Sequence, residues 1–376
     1  MDGRSSRVWL FAGAMLLAVA TALAPAPALA LASGAATGVT VFLKAPDLVA
    51  LRQLSAAHGL THAQRVAALS KLLPSDAEHA AATRALEAAG MKVTSQTAWS
   101  VSATAPSTTV TADFGTHPAM RAHAPSAQRR AASGPYPVLP SGLDRVATAA
   151  FPTSSGPAMF RPAIAGCDCL DGTDFRNAYT TPAQTALNEP PYSGLDSAAT
   201  LTVATVQLAG WNSSDLTQWA AQPGIGVAGF NASTALTMVP VDQAGVPTPT
   251  TDDTGDEEVD LDQEALLSTD PFAHQRPYFA PNTAAGYNDA FAQVLDDVLQ
   301  DSHAFGGGDP NIVALSVSWG LCEADTDPQD IQTLEPILTS LLAAGVTVFA
   351  STGDAGIYDG CSSGSPDVDY PASSPE

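Results

Sequence analysis

The pattern of apolar and polar residues divides the chain into two regions with different predicted structures. Toward the N-terminus, a strand-like segment at 39–43 is followed by three helical segments and two more strand-like segments. The helical segments span about 46–57, 62–73 and 75–89, and the later strands span 91–96 and 99–104. Gly90 ends the third helix as a C-cap. This order predicts a compact α+β unit.

Beyond about residue 170, strands and helices alternate along the chain. Buried strands are predicted at 200–208, 311–317 and 346–350. Helices are predicted from Asn212 or Ser213 through Ala221, and at 257–268, 284–301 and 328–343. Such alternation indicates a parallel sheet with helices on its faces, whose reactive groups gather at the carboxyl ends of the strands. The segments after Val317 and Ala350 are therefore candidate sites.

Residues 118–160 are rich in Ala, Pro, Ser and Arg and show no sustained periodicity, which is typical of a linker. At the N-terminus, two arginines precede an apolar run at 8–24, and small residues follow at 28–32. This order is typical of a secretory signal peptide, and a membrane anchor is the alternative. Pro25 and Pro27 favour cleavage. We expect a secreted protein without a membrane span after cleavage.

Charge differs strongly between the two regions. The 376 residues carry a formal net charge of -23, but residues 1–150 hold 12 basic and 7 acidic groups. Residues 151–376 hold three arginines and 31 carboxylates. The acidic region excludes nucleic acid as a natural partner, because phosphate binding needs clustered Lys and Arg. A hydrophobic content of 45% excludes a disordered acidic tail, and the length suggests two folded domains.

Four cysteines, Cys167, Cys169, Cys322 and Cys361, lie in the acidic region. Pairing is the expected state of cysteines in an exported protein. Cys322 and Cys361 lie in turn-like segments, which favours a disulfide between them. A zinc site is the alternative, although the C-x-C at Cys167 has no matching His or Cys pair nearby.

An acidic run opens the predicted helix at 257–268. Residues four apart share one helix face, so the run contains three carboxylate pairs: Asp256/Asp260, Glu258/Asp262 and Asp260/Glu264. Paired like charges raise the pKa of one member, and such a pair can act as base and orienting acid. The alternative is a solvated face, since the helix dipole favours acidic residues in the first turn.

Two further segments carry candidate chemistry. Asp354, in Ser-Thr-Gly-Asp after the strand at 346–350, is placed to face a cleft, although a turn Asp that binds backbone N–H groups is the alternative. Residues 360–364 match the G-x-S-x-G pattern by letter. A nucleophile elbow needs a strand before it and a later His, and neither is present, so a serine esterase based on Ser362 is poorly supported.

Five segments in register resemble the sedolisin family of serine-carboxyl peptidases. They are Glu-Val-Asp-Leu-Asp at 258–262, Tyr-Phe-Ala-Pro-Asn-Thr at 278–283 with Gly286, Ser-Val-Ser-Trp-Gly at 316–320, Ser-Thr-Gly-Asp at 351–354, and Tyr-Pro-Ala-Ser-Ser-Pro at 370–375. The unit from Val39 to about Gly115 resembles the activation prodomain of that family. The resemblance implies an α/β fold with a subtilisin-like parallel sheet and flanking helices, incomplete at its C-terminus, after a small α+β ferredoxin-like prodomain.

The implied boundaries are a signal peptide at 1–32, a prodomain at 36–117, a linker and processing region at 118–168, and a partial peptidase domain at 169–376.

The resemblance also implies peptide cleavage at acid pH, with a protein or peptide as substrate. Glu258 would be the base for a serine nucleophile, Asp262 its partner and Asp354 the donor to the oxyanion, whereas the other two pairs would lie on the surface. The chemistry is coherent, because imidazolium has no free lone pair below its pKa whereas a carboxylate can accept a proton. A protonated Asp can likewise donate a hydrogen bond to an oxyanion.

The sequence departs from the family in one respect. The family's nucleophile lies in a Gly-Thr-Ser segment beyond the segment at 370–375, and no Gly-Thr-Ser occurs in this sequence. We therefore expect a secreted acid-acting endopeptidase precursor truncated before its nucleophile and inactive as given, with the family's calcium ligands beyond residue 376. The alternative is a secreted non-catalytic inhibitor, chaperone or pseudo-peptidase. The basic front region would act as an intramolecular inhibitor, attracted to the acidic region at neutral pH and released in acid.

Overall fold

The structure is a computed structural model that describes two regions of the chain, each with gaps. They are residues 36–114, 139–140 and 142–152, and then 201–222, 230, 235–242, 253–269, 273–300, 312–354, 356–358, 361, 364 and 366–376. The predicted signal peptide, the segment at 153–200 with Cys167 and Cys169, and Ser362 lie outside the described residues. The described helices include none that is both long and apolar enough to cross a membrane.

Four antiparallel strands form the first sheet, in the order β2-β3-β1-β4. These strands are β1 (Ala36–Leu43), β2 (Lys92–Gln96), β3 (Ser100–Pro106) and β4 (Ala147–Pro152). Three helices lie between β1 and β2 along the chain, and a fourth follows β3. They are α1 (Leu48–Ser55), α2 (His62–Leu69), α3 (Asp76–Ala88) and α4 (Ser107–Phe114). We call residues 36–152 the N-terminal sheet unit.

Local sequence signals explain where the helices of this unit begin and end. Thr61 begins α2 and Ser75 begins α3, each through a capping box with the Gln or Glu three residues later. After α3, Gly90 has φ +78°, a left-handed conformation that favours glycine. The chain therefore turns from α3 into β2 at the position that the sequence predicts.

Strand β4 lies inside the range 118–160 that composition predicts as a linker. It pairs antiparallel with β1, and Ala147, Ala149, Ala150 and Phe151 are buried. A run of alanines has little intrinsic strand preference, so burial against the sheet, rather than propensity, selects the strand here. Composition alone therefore does not show where the N-terminal sheet unit ends.

The second sheet is parallel, with the strand order β10-β8-β5-β7-β6. Its strands are β5 (Thr202–Gln207), β6 (Val239–Pro240), β7 (His274–Phe279), β8 (Ile312–Val317) and β10 (Thr347–Ala350). Two short strands pair antiparallel beside it: β9 (Leu321–Cys322) and β11 (Asp369–Tyr370). Four helices flank or connect these strands: α5 (Ser214–Ala220), α6 (Asp253–Thr269), α7 (Ala284–Leu299) and α8 (Pro328–Ala344). This mixed α/β architecture is the one that the strand–helix alternation predicts.

The periodicity does not predict β7, although this strand lies inside the parallel sheet. Its first four residues, His-Gln-Arg-Pro at 274–277, are mostly polar, and a proline argues against a central strand. The structure accommodates the arginine, because its Nη2 lies 2.6 Å from Asp297 Oδ2 on α7. Tyr278 donates to the same carboxylate oxygen at 2.7 Å. A buried ion pair therefore replaces the apolar residue that the pattern would require.

The N-terminal sheet unit packs on helices α7 and α8 of the part that follows residue 200. Phe42, Leu51, Trp99 and Phe151 belong to the same buried cluster as the apolar residues around the parallel sheet. The backbone N–H of Ala98 donates to Asp296 Oδ1 at 2.7 Å. One continuous core therefore joins the two sheets.

Buried carboxyl groups lie within this contact. Ser100 Oγ donates to Asp289 Oδ1 at 2.5 Å, and the side chain of Asp289 is in turn hydrogen-bonded to that of Asp242. Ser102 of the same strand is hydrogen-bonded to Asp242. Burial raises the pKa of both aspartates, so a proton shared between them makes their contact favourable.

A disulfide joins Cys322 in β9 to Cys361, 39 residues later in the chain. Replacing both cysteines by alanine should lower the free energy of unfolding by about 3–4 kcal/mol, because the unfolded chain gains loop entropy. Urea denaturation under oxidising conditions measures the difference. A reductant should reduce the stability of the native protein to the same extent and leave the double variant unchanged. Equal stability of the two proteins would contradict this prediction.

Candidate active site

The carboxyl ends of the parallel strands bring polar side chains to one edge of the second sheet. Gln207 is the last residue of β5, Ser318 follows β8, and Asp354 follows β10. Helix α6 reaches the same edge, because Asp262 accepts hydrogen bonds from both Gln207 and Ser318. This is the edge at which ligands bind in open parallel sheets.

Asp262 is a buried carboxylate with a donor at each oxygen. Ser318 Oγ donates to Oδ1 at 2.6 Å, and Gln207 Nε2 donates to Oδ2 at 2.8 Å. Trp319 Nε1 donates to Gln207 Oε1 at 3.1 Å and so extends this chain of hydrogen bonds. Burial raises the pKa of Asp262 to about 6, although the two donors oppose that rise by stabilising the ionised form.

Glu258 lies one helical turn before Asp262 on the same face of α6 and is only 2% exposed. Burial, followed by the negative charge of Asp262, raises the pKa of Glu258 to about 8. Its Oε2 is buried and has no hydrogen-bond partner within the described part of the chain. Such an acceptor is costly to leave unfilled, so it is suited to an incoming hydroxyl donor.

Asp354 lies at the exposed side of this pair. Its side chain is exposed, and its negative charge contributes to the raised pKa of Glu258. The structure thus brings together the three carboxyl groups named from the sequence, two of them buried and one open to solvent.

The chain is similar to two curated peptidases. It is 35% identical to kumamolisin of Bacillus sp. (strain MN-32) over 175 residues, which cover 46% of this chain and 29% of that protein. It is 32% identical to sedolisin of Pseudomonas sp. (strain 101) over 132 residues, which cover 33% of this chain and 21% of that protein. The resemblance to the sedolisin family is confirmed. No protein-family model matches the chain.

The chain spans less than a third of the length of either sedolisin-family relative that it matches. Both relatives are serine-carboxyl peptidases, which are hydrolases. The matched length is too short to transfer the activity of a whole sedolisin-type enzyme. The residues of this chain must therefore carry the functional argument.

The remaining carboxylates of α6 lie apart from Glu258 and Asp262. Asp260 Oδ1 accepts a hydrogen bond from Trp211 Nε1 at 2.6 Å, and the Trp211 ring stacks on Phe279. Burial, followed by the charge of Asp260, raises the pKa of Glu264 to about 7. The resemblance implies that these groups lie on the surface, whereas the structure half-buries them because Trp211 covers Asp260.

Sequence reasoning did not identify Gln207 or the side-chain role of Trp319. Gln207 lies 55 positions before Asp262, and no local pattern links two residues so far apart. One signal was available in the sequence: a glutamine near the carboxyl end of a predicted buried strand of a parallel sheet. A buried amide needs partners for both of its ends, and Trp319 and Asp262 supply them.

The described residues do not fit the calcium ion that a sedolisin-type enzyme would be expected to hold. The grouping of possible metal ligands among them is Cys322, Cys361 and Asp367. The two sulfurs are bonded to each other, and calcium prefers six to eight oxygen ligands. Calcium therefore finds no fitting ligand set in this part of the protein, whereas the zinc alternative concerned Cys167 and Cys169, which lie outside the described residues.

Proposed function

We propose that this chain is part of a secreted serine-carboxyl endopeptidase precursor, in which Glu258 acts as the base and Asp262 as its partner. The observation that carries the proposal is the buried, unfilled acceptor Oε2 of Glu258. A base must lie within hydrogen-bond reach of the hydroxyl whose proton it takes, and this oxygen is available for that contact. The similarity to two serine-carboxyl peptidases supports a serine as the donor.

The proposed reaction is hydrolysis of a peptide bond. A serine hydroxyl donates to Glu258 Oε2 and loses its proton to that oxygen as it attacks the peptide carbonyl. Asp262 stabilises Glu258 after it has taken up this proton. A protonated Asp354 donates a hydrogen bond to the oxyanion of the intermediate. The sequence contains no Gly-Thr-Ser segment, so the proposal assigns the nucleophile to none of the serines in this chain.

The acid working range is part of the proposal and depends on this hydroxyl. With Oε2 unfilled, burial holds the pKa of Glu258 at about 8 and that of Asp262 at about 6. A hydroxyl that donates to Oε2 favours the ionised form and lowers the pKa of Glu258. The nucleophile itself would therefore shift the base toward the acid range in which the enzyme is proposed to act.

We further propose that the N-terminal sheet unit is a prodomain that inhibits the enzyme within the same chain. If α1, α2 and α3 are counted as one helical element, the order of elements along the chain is β-α-β-β-α-β. Their spatial order β4-β1-β3-β2 is that of a ferredoxin-like sheet. Its contact with α7 and α8 supports a stable association with the proposed catalytic part.

Activity of the product of the reading frame that contains this chain tests the function. We expect that product to cleave a denatured protein after exposure to acid, and a peptide aldehyde, which traps serine nucleophiles, to block cleavage. Digestion is followed by mass spectrometry between pH 3 and 8. Absence of cleavage over this range, in a product that folds and binds an active peptidase, would favour the non-catalytic alternative.

A further inference from the structure

The turn between β2 and β3 carries part of the contact between the N-terminal sheet unit and α7. We call residues 97–100 the docking turn. The backbone N–H of Ala98 donates to Asp296 Oδ1 at 2.7 Å, and Trp99 is buried in the core that joins the two sheets. These contacts form only when the N-terminal sheet unit holds the docking turn in this position.

His79 of α3 supports the docking turn from within the N-terminal sheet unit. Its Nε2 lies 2.9 Å from the backbone carbonyl oxygen of Thr97, the first residue of the turn. Its Nδ1 lies 3.1 Å from the backbone carbonyl oxygen of Ser75, one helical turn earlier. Thr97 is buried and His79 is half-buried. One imidazole ring therefore links the start of α3 to the docking turn.

The number of hydrogen atoms decides which form of His79 makes both contacts. A carbonyl oxygen can only accept a hydrogen bond. A neutral imidazole has one N–H and a lone pair on its other nitrogen, whereas an imidazolium has two N–H groups. Because both ring nitrogens of His79 face carbonyl oxygens, only the imidazolium donates to both. In the neutral form, one nitrogen would direct its lone pair at an oxygen.

We propose that protonation of His79 holds the docking turn in place, so that the N-terminal sheet unit contacts α7 more firmly in acid than above neutral pH. Histidine gains its second N–H within the range of about pH 5 to 8. When that hydrogen is lost, the ring keeps one of its two contacts, and the link between α3 and Thr97 weakens. The inference concerns the contact between the two parts of the chain and does not depend on the proposed peptidase activity.

The charged groups near His79, within the described residues, belong to α3 and α7. The first turn of α3 carries Asp76 and Glu78, whose negative charges favour a cation at His79. Arg84 lines the same cleft as His79 and opposes that cation. The residues that the end of α2, the end of β2 and the docking turn contribute to this cleft are uncharged. On α7, Asp296 reaches the docking turn through the N–H of Ala98.

Hydrogen exchange at the backbone N–H of Ala98 tests this proposal without an activity assay. Because burial raises the pKa of Asp296 to about 7, its own titration would affect this N–H, so the measurement is made in Asp296→Asn, which keeps an acceptor oxygen. After correction for the intrinsic exchange rate, protection of Ala98 should be about tenfold greater at pH 5 than at pH 8, the effect of one hydrogen bond from a charged group.

Adding His79→Gln to this variant should remove the tenfold difference. Glutamine keeps an uncharged donor near the position of Nε2 and does not titrate in this range. Adding His58→Gln instead, at an exposed histidine after α1, should leave the difference intact. A difference that persists with His79→Gln, or that is absent from Asp296→Asn, would overturn the proposal.

The imidazole nitrogens of the native protein give a second measurement, which decides the matter if the variants do not fold. In ¹⁵N spectra of histidine-labelled protein, both ring nitrogens of His79 should carry a hydrogen at pH 5, and one of them should have lost it at pH 8. His79→Gln assigns the signals where it folds, and nuclear Overhauser contacts to Thr97 assign them otherwise. A ring that carries the same number of hydrogens at both pH values would contradict the proposal.

Discussion

Replacing Glu258 by glutamine should lower kcat of the proposed peptidase by about 10²–10⁴-fold, the usual contribution of a general base. Glutamine has nearly the same shape as the protonated glutamate that the raised pKa favours in this structure, so the fold should persist. KM should change little, because the lost function is proton transfer rather than substrate binding. Steady-state kinetics with a peptide substrate and a thermal denaturation curve measure the two effects.

Glu257→Gln is the matched control for this variant. Glu257 is the preceding residue on α6 and is exposed, so its loss should leave kcat within about twofold of the native value. Equal losses of activity in the two variants would point to a general effect of charge on α6. Full activity of Glu258→Gln would remove Glu258 from the proposed mechanism.

The second large effect concerns stability, which should fall as the pH rises from 4 to 8. Burial raises the pKa of Asp296 to about 7, and burial together with Asp327 raises that of Asp330 to about 8. An aspartate whose pKa is raised by folding contributes stability that is complete below its unfolded pKa of about 3.9 and is lost as the pH rises through the folded value. The contribution of Asp296 alone is on the order of 4 kcal/mol.

Asp296→Asn isolates this effect at a single contact. The amide oxygen of asparagine can still accept the hydrogen bond from Ala98 N–H, but the side chain no longer titrates. The variant should match the native protein near pH 4 and exceed it in free energy of unfolding at pH 8. Urea denaturation followed by tryptophan fluorescence measures both values, with the exposed Glu87→Gln as the control. A native stability that rises from pH 4 to 8 would contradict the prediction.

The buried carboxyls in this contact argue against the hypothesis that acid releases the N-terminal sheet unit by weakening its charge attraction to the acidic region. Within the described ranges, one salt bridge joins this unit to the rest, between Arg52 and Glu376, and the side chain of Arg52 is 49% exposed. Exposed pairs of this kind contribute at most about 1 kcal/mol. The carboxyls of Asp289 and Asp296 are instead buried in the contact and gain from protonation. Protonation of these groups therefore favours this contact in acid.

The local pattern of apolar and polar residues was sufficient to predict most of the helices and strands and the carboxylate pair. Helix α8 begins after Asp327, whose side chain accepts from the N–H of Gln329, and ends at Gly345 with φ +100°. The spacing of Glu258 and Asp262 places them on one helix face, which the sequence shows directly. Each of these inferences uses residues within one helix.

Predictions from the local sequence pattern failed where contacts with residues distant in the chain determine the structure of a segment. The ion pair with Asp297 allows Arg276 to occupy a buried strand, and pairing with β1 makes a strand of an alanine-rich segment. Gln207 acquires its role only when β5, α6 and β8 meet at the carboxyl edge of the sheet. Such contacts depend on the tertiary fold and have no counterpart in local periodicity.

The hydrogen bonds of Gln207 have a consequence for the timing of the proposed reaction. An indole N–H can only donate, so Trp319 forces the carbonyl end of the Gln207 amide toward itself and the NH₂ end toward Asp262. A flipped amide would lose both hydrogen bonds and place its oxygen against a carboxylate. The carboxylate of Asp262 is therefore preorganised: its orientation is fixed before substrate arrives, and no reorganisation is required of it during the reaction.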